Sequence, residues 1–132
     1  MNEELDEALM RDFPMLYAQR HLPMTETCMC WGFGCGDGWE PIIRTLSAQL
    51  EWLNTMGVCR VEAVQVKEKF GTLRFYEAVK EARQDLPAGM VWALIETAEA
   101  LSGQTCEDCG KFGRLREGGW LRTLCDECEA KR

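Results

Sequence analysis

Apolar residues recur about once per helical turn in three stretches of the chain, and this spacing predicts three helical regions. The first is residues 3–20, where acidic residues near the start suit the dipole of a helix. Its repeat consists of Leu5, Leu9, Phe13 and Leu16. Because Pro14 interrupts the repeat, we expect two short helices, with Asp12 as the N-cap of the second.

The second helical region, residues 38–56, has the clearest signals at both ends. Asp37 is predicted to be its N-cap, and Glu40 stands at the spacing of a capping box. Gly57 supplies a C-terminal stop. The apolar stripe that should face the core consists of Ile42, Ile43, Leu46, Leu50 and Leu53.

The third helical region is residues 87–102, with Pro87 near its start and Gly103 just past its end. Trp92 lies off the apolar stripe, which leaves it either covering a neighbouring element or exposed. The predicted packing face consists of Val91, Leu94, Ile95, Ala98 and Leu101.

Between the last two helices, the apolar spacing changes from a helical period to alternation. Val64 and Val66 alternate with polar neighbours, as do Leu73 and Phe75, and Gly71 lies at the bend between the two runs. Residues 61–79 therefore predict a β-hairpin with one buried face. The charged residues expected on the other face or near the turn are Lys67, Lys69 and Arg74.

Four cysteines near the C-terminus form two C-x-x-C pairs with fifteen residues between them: Cys106, Cys109, Cys125 and Cys128. Two residues between ligands let both sulfurs approach one ion from a tight turn, and two such knuckles provide the tetrahedral sulfur cage that Zn²⁺ favours. A redox dithiol needs only one such pair, and iron–sulfur clusters usually use other spacings. We therefore expect one structural Zn²⁺, which residues 106–132 require in order to fold.

The spacer between the two pairs predicts a small hairpin. Gly118 and Gly119 suit a two-residue turn, which would place Leu115, Trp120 and Leu124 on one face, with Arg114 and Arg116 on the other. The second pair is expected to open a short helix. The predicted fold class is therefore α+β, with N-terminal helices, a β-hairpin and a packing helix in residues 1–105. A zinc ribbon or treble-clef unit, hereafter the finger, follows in residues 106–132.

Composition is that of an ordinary globular protein. The chain has 132 residues and a net charge of −7, and its length favours one domain. No apolar run approaches the ~20 residues of a membrane span, and the acidic N-terminus lacks the basic region of a secretory signal. We therefore expect a cytoplasmic protein whose cysteines stay reduced.

The segment TCMCWGFGCGDGW, residues 27–39 and hereafter the glycine loop, carries three further cysteines. Cys28, Cys30 and Cys35 would form a second metal site if His21 joined them, but a C-x-C pair strains a single tetrahedral centre. The favoured interpretation is reduced cysteines in a compact loop, with His21 at a helix C-terminus. Cys59 is expected to be a small apolar residue before a strand. Trp39 is assigned to the core, whereas Trp31 and Phe33 are either core or surface.

The segments CMCWGFGCGDGW, VKEKFGTLRFY and CEDCG…GGWLRTLCDEC, in this order, resemble a group of small proteins encoded by phages and prophages. The resemblance spans roughly residues 24–129. It implies a phage or prophage origin, a bacterial host cell and a C-terminal zinc finger, but no established activity. The finger alone is similar to that of small transcription regulators that insert into RNA polymerase. This chain lacks their long coiled coil, so that function does not carry over.

The function expected first is non-enzymatic binding to a host or phage protein. Such binding could inhibit a host defence complex or a nucleic-acid-processing complex. The acidity of the chain favours a partner with a basic surface. The expected contacts are the glycine-loop aromatics and the acidic residues Glu3, Glu4, Asp6 and Glu7.

Two other classes of function are weighed against binding to a protein. The finger could bind nucleic acid through a local basic face, although its six bases are matched by six acids. Those bases are Lys111, Arg114, Arg116, Arg122, Lys131 and Arg132. An enzyme is not expected, because the usual catalytic motifs are missing and the chain has a single histidine.

Overall fold

The computed structural model describes residues 1–132 and shows an α+β fold with four α-helices and two small sheets. The α-helices are α1 (Glu3–Asp12), α2 (Glu40–Thr55), α3 (Met90–Ser102) and α4 (Asp126–Ala130). The strands are β1 (Phe33–Gly34), β2 (Arg60–Lys69), β3 (Thr72–Lys80), β4 (Arg114–Arg116) and β5 (Arg122–Leu124). The predicted fold class is confirmed.

The larger sheet has the order β1-β2-β3. The predicted hairpin is present as β2 and β3, joined by a two-residue turn in which Phe70 and Gly71 both have positive φ, 56° and 84°. Strand β1 was not predicted. It pairs in parallel with β2, placing Phe33 opposite Val66, and it ties the glycine loop to the sheet.

A β-bulge corrects the predicted burial pattern of β2. The pairing with β3 shifts between Ala63 and Gln65, so one extra residue interrupts the alternation. Val61, Ala63 and Val66 are buried, whereas Val64 is only half-buried. The prediction that Val64 and Val66 share the buried face was therefore wrong.

The start of α2 also differs from its prediction. A short 3₁₀ turn, Asp37–Trp39, precedes the helix, and Trp39 is its N-cap without a side-chain cap. The Asp37 carboxylate instead accepts hydrogen bonds from the backbone N and side-chain Nδ2 of Asn2, at 2.7 and 3.0 Å. Glu40 pairs with Arg44 at 2.6 Å. The capping-box prediction was wrong because Asp37 is used to hold the N-terminus.

The N-terminal region contains one α-helix rather than two. After α1 the chain passes through turns into a 3₁₀ helix, Ala18–His21, which His21 ends as predicted. Asp12 does not cap a second helix, because its carboxylate pairs with Arg11 and Arg44 at 3.2 and 2.9 Å. The α1 helix is capped by Asn2, whose side chain accepts from the Leu5 amide.

The core lies between the inner face of the larger sheet and the helices, and it contains 21 buried side chains. Trp39 is fully buried, as predicted, and Phe33 and Cys59 are also in the core. Buried side-chain nitrogen and oxygen atoms have hydrogen-bond partners, with the exception of Gln19 Oε1. The Glu51 carboxylate accepts from the amides of Met15 and Leu16 at 3.0 and 3.1 Å.

Helix α3 covers the free edge of β3. Backbone amides of Leu73 and Phe75 donate to the side chains of Ser102 and Glu99, at 2.8 and 3.0 Å. Of the predicted packing face, Leu101 was assigned wrongly, since it is 53% exposed. Trp92 is 62% exposed. The residues that pack against the core are Val91, Ile95 and Ala98, with Leu94 half-buried.

The finger hairpin corrects two predictions. Arg116 pairs with Arg122, so residues 117–121 form a five-residue loop rather than a two-residue turn at Gly118-Gly119. Leu124 lies opposite Arg114, which places it on the arginine face, whereas Leu115 lies opposite Thr123. Trp120 is in the loop and 70% exposed. Only a small apolar cluster belongs to the finger, and the division into 1–105 and 106–132 stays a prediction.

Candidate metal centre

The first knuckle is a tight turn that holds Cys106 and Cys109. The Cys106 amide donates to the Lys111 carbonyl at 2.7 Å, and the Gly110 amide donates back to the Cys106 carbonyl at 2.9 Å. Gly110 has a φ of 78°, a left-handed conformation that other residues adopt at a cost. The local sequence C-x-x-C-G therefore folds the backbone so that both thiols lie on one side of the turn.

The second knuckle joins the end of β5 to the start of α4. Cys125 is the N-cap of this helix, and its sulfur accepts a hydrogen bond from the Cys128 amide at 3.4 Å. Sulfur therefore takes the role that a Ser or Asp oxygen commonly has at an N-cap. The prediction that the second C-x-x-C opens a short helix is confirmed.

The two knuckles bring all four sulfurs together. The ligand atoms of Cys106, Cys109, Cys125 and Cys128 lie within 4.8 Å of one another. Cys109 Sγ and Cys125 Sγ are 3.6 Å apart. Four sulfurs at about 2.3 Å from a central Zn²⁺ would be separated by about 3.8 Å, so the observed spacing fits a tetrahedral site. The sulfurs are free thiols rather than disulfides.

The surroundings of the cluster change the ionisation of Cys106 and Cys128. Burial opposes ionisation of Cys106, but hydrogen bonds from backbone groups, including Cys125 and Cys109, lower the pKa of this thiol to about 7. Hydrogen bonds with the sulfurs of Cys125 and Cys109 raise the pKa of Cys128 to about 12. Cys128 therefore does not ionise on its own at neutral pH, and a bound divalent ion would supply the positive charge that stabilises its thiolate.

The predicted basic face of the finger is largely neutralised by neighbouring carboxylates. Arg114 and Arg116 both pair with Asp126, at 3.4 and 2.6 Å. Of the six bases named above, only Lys131 forms no ion pair. The others pair as Lys111 with Glu127, Arg122 with Glu107 and Asp108, and Arg132 with Glu129.

The glycine loop is the surface against which the first knuckle packs. The Gly38 amide donates to the Glu107 carbonyl at 2.7 Å. A Cβ at Gly38 would lie 2.1 Å from the Cys106 carbonyl oxygen, and one at Gly36 would lie 2.4 Å from that of Glu107. Only glycine permits such an approach between two backbones. The glycines of this loop therefore fit the metal knuckle to the core.

Side chains reinforce the same junction. Glu107 is 4% exposed, and its carboxylate accepts from the Gly36 amide at 3.1 Å and pairs with Arg122 at 3.2 Å. Trp39 Nε1 donates to the Thr105 carbonyl at 2.8 Å, directly before the first ligand. The fully buried Trp39 thus links the core to the four-cysteine cluster.

The alternative metal site, formed by Cys28, Cys30, Cys35 and His21, is not assembled. The only group of three or more potential ligands that the structure brings together is the finger quartet. Cys35 is buried, and burial raises the pKa of its thiol to about 12. Cys30 is exposed and donates to the Thr27 carbonyl at 3.6 Å, while His21 is exposed on its 3₁₀ turn.

The sequence predicted the four cysteines of the finger but not the residues that pack this cluster against the core. Glu107 lies between two ligands, and a charged residue in a knuckle gives no sign of burial. The concentration of glycine around Gly36 and Gly38 indicates that another backbone approaches closely. The local sequence does not indicate which segment of the chain that backbone belongs to. The contact between the glycine loop and the first knuckle exists only because the fold brings together residues about seventy positions apart.

Comparison of the chain with protein-family models, curated proteins and solved structures found no match. The resemblance to phage and prophage proteins therefore stays a prediction. None of the helices combines the length and apolar character needed to span a bilayer. What the geometry establishes is a four-cysteine cluster suited to one metal ion.

Proposed function

We propose that the quartet holds one structural Zn²⁺. The most direct support is that the four sulfurs, two from each knuckle, lie within 4.8 Å of one another, a spacing that fits a tetrahedral site. Four thiolates occupy every position of a tetrahedral zinc ion, so no site remains for water or substrate. The ion stabilises the finger and its contact with the glycine loop, and it takes no part in a reaction.

We further propose that the protein is a non-enzymatic binding protein. Four of its five tryptophans are largely exposed: Trp31 at 73%, Trp52 at 58%, Trp92 at 62% and Trp120 at 70%. Tryptophan is enriched among residues that dominate the energy of protein interfaces. A small scaffold stiffened by zinc and bearing exposed aromatic side chains is suited to presenting a surface.

The proposed contact surface, hereafter the acidic surface, consists of Trp31 together with Glu3, Glu4 and Glu7 of α1. These three glutamates are exposed and belong to no ion pair. The Asp6 carboxylate accepts from the Phe33 amide at 2.9 Å and lies against Gly32, so it places α1 beside Trp31. A host or phage protein with a basic surface is the partner that suits this arrangement.

The experiment is affinity capture from a bacterial lysate with the intact protein and two matched variants. Trp31→Ala removes the aromatic part of the acidic surface, and Trp92→Ala removes another exposed tryptophan, on α3. We expect a stoichiometric protein partner that is lost with Trp31→Ala and retained with Trp92→Ala. Capture that is unaffected by Trp31→Ala, or that yields no stoichiometric protein, contradicts the proposal.

Binding of nucleic acid through Arg114 and Arg116 is the weaker alternative. Both guanidinium groups are already paired with Asp126, so phosphate would have to displace that carboxylate. Loss of gel-shift binding in the double variant Arg114→Ala, Arg116→Ala would favour this alternative over the acidic surface.

A further inference from the structure

The solvent-facing side of the β2–β3 hairpin carries a row of polar and basic side chains. Residues directly opposite each other in an antiparallel pair point to the same face, and every second residue along a strand shares it. The register pairs Gln65 with Tyr76, Lys67 with Arg74 and Lys69 with Thr72. We call these six residues the hairpin face.

The three cations of the hairpin face are free of carboxylate partners. Lys67, Lys69 and Arg74 form no ion pair, and Arg74 donates only to the Thr72 hydroxyl and the Leu73 carbonyl. This contrasts with the finger, where most bases are neutralised. In a chain of net charge −7, this face concentrates unpaired positive charge on adjacent positions of two strands.

Three exposed aromatic side chains lie on or next to the hairpin face. Phe70 at the turn is 66% exposed, Tyr76 on the same face is 41% exposed, and Trp120 of the finger loop is 70% exposed. The Lys69 ammonium lies 5.5 Å from the centre of the Phe70 ring. Phe70 and Tyr76 therefore flank the cations of the hairpin face, while Trp120 donates to Glu68 and lines the cleft beside Lys67 and Lys69.

A cleft of about 440 Å³ adjoins the hairpin face, between residues 67–70 of β2 and its turn and residues 119–121 of the finger loop. Its one carboxylate, Glu68, is already occupied. It accepts from Trp120 Nε1 at 3.1 Å and from the Gly71 amide at 3.4 Å. The remaining charged groups that line the cleft are Lys67 and Lys69, so the cleft suits an anionic ligand with a flat apolar part.

Phe70 itself is an unexpected residue for its position. A two-residue hairpin turn with positive φ at both positions favours Asn-Gly, and a bulky residue there is strained. The side chain gains little packing in return, because most of it is exposed. Strained backbone conformations cluster at functional sites, so Phe70 is a candidate for a functional position.

We propose that the hairpin face and the adjoining cleft bind single-stranded nucleic acid. Bases stack on Phe70, Tyr76 and Trp120, while Lys67, Lys69 and Arg74 contact the phosphates. This combination of a positive track with aromatic platforms is the one used for single strands without strong sequence preference. The site is distinct from the acidic surface, so either proposal stands if the other fails.

The number of cations sets the expected salt dependence. Three phosphate contacts to a single strand give a slope of about −2 in log affinity against log salt. Affinity for a fluorescein-labelled oligothymidylate, measured by anisotropy, should therefore fall roughly 20-fold between about 50 and about 200 mM salt.

Two variants separate the aromatic from the ionic contribution. Phe70→Asn introduces a residue that the turn favours and removes one aromatic ring on which a base could stack. The affinity should therefore fall roughly 5- to 150-fold, while the slope of log affinity against log salt stays the same. Lys67→Ala, Lys69→Ala and Arg74→Ala together should abolish binding. The matched control removes three arginines outside the finger that already have carboxylate partners, Arg11, Arg44 and Arg83, and should retain most of the affinity.

Circular dichroism and the metal content of each variant establish that it is folded. Equal loss of affinity in the control triple would overturn the proposal, since net charge alone would then explain binding. Equally tight binding of polyglutamate, insensitive to Phe70→Asn, would also overturn it in favour of an acidic protein ligand. No binding of oligothymidylate at low salt would overturn it outright.

Discussion

The glycine loop and the finger both combine cysteine with glycine, yet only the finger gathers its sulfurs around one point. In the finger, each C-x-x-C spans a turn or a helix start whose backbone hydrogen bonds orient both thiols. In the glycine loop, Cys35 lies in the core while Cys30 faces solvent. Cysteine content alone therefore does not indicate a metal site, because the backbone between the cysteines decides where the sulfurs point.

Glycine has a different role in the two segments as well. Gly110 in the finger provides a left-handed turn, whereas Gly36 and Gly38 provide space for another backbone. The glycine loop is thus the surface against which the four-cysteine cluster packs, and its own cysteines form no second cluster. The following predictions test this division of roles.

Removal of a finger ligand should have the largest effect. Cys125→Ser replaces a metal ligand with a residue that can still cap α4, so the loss falls on the metal site, and metal affinity should drop by more than the 10- to 100-fold typical of losing an outer-shell partner. Competition with a chromophoric chelator measures the affinity, and hydrogen exchange should show loss of protection in residues 106–130. Retention of tight binding by this variant would contradict the assignment of the quartet.

Gly38→Ala should be the next most damaging change. The added methyl meets backbone atoms of Cys106, Glu107 and Gly110, none of which can rotate away, so we expect a loss of roughly 2–3 kcal/mol of unfolding free energy. Urea denaturation measures it.

The matched control for this change is Gly57→Ala. Gly57 has a φ of 70° but open space around it, so only the backbone strain of about 1 kcal/mol applies. If Gly38→Ala proves no more destabilising than Gly57→Ala, the finger does not pack against the glycine loop as described.

Glu107→Gln should weaken the junction moderately. The amide can still accept from the Gly36 amide, but the charge that pairs with Arg122 is lost, for an expected cost of about 1–2 kcal/mol. Asp108→Asn is the control, because Asp108 pairs with the same arginine in a more exposed position and should cost less than about 1 kcal/mol. The reverse order of the two values in urea denaturation would be inconsistent with a buried junction at Glu107.

Cys30→Ser should have the smallest effect. The exposed side chain makes one weak hydrogen bond, so the unfolding free energy should change by less than about 0.5 kcal/mol and the metal content should not change. A lower metal content in this variant would show that the glycine loop supplies a ligand after all.

The features that the sequence revealed are those with a local cause. The stripe of α2, the alternation of Leu73 and Phe75, and the C-x-x-C spacings each act over a few neighbouring residues. These predictions are confirmed in the positions of the α2 and β3 elements and in the assembly of the quartet.

The features that were missed depend on distant parts of the chain. Strand β1 has only two residues and exists because β2 offers an edge. Asp37 has the identity and position of an N-cap, but its carboxylate accepts a hydrogen bond from the Asn2 amide instead. The bulge at Val64 and the long loop of the finger hairpin likewise reflect a choice of register, which local alternation does not specify.

The finger is expected to hold one metal ion and the glycine loop none. Native mass spectrometry of the freshly purified, untagged protein measures the metal identity and the number of ions per chain in one experiment. We expect one zinc ion per chain and eight free or metal-bound cysteines. A metal-free folded chain, a chain with disulfides among the finger cysteines, or two zinc ions per chain would contradict the account.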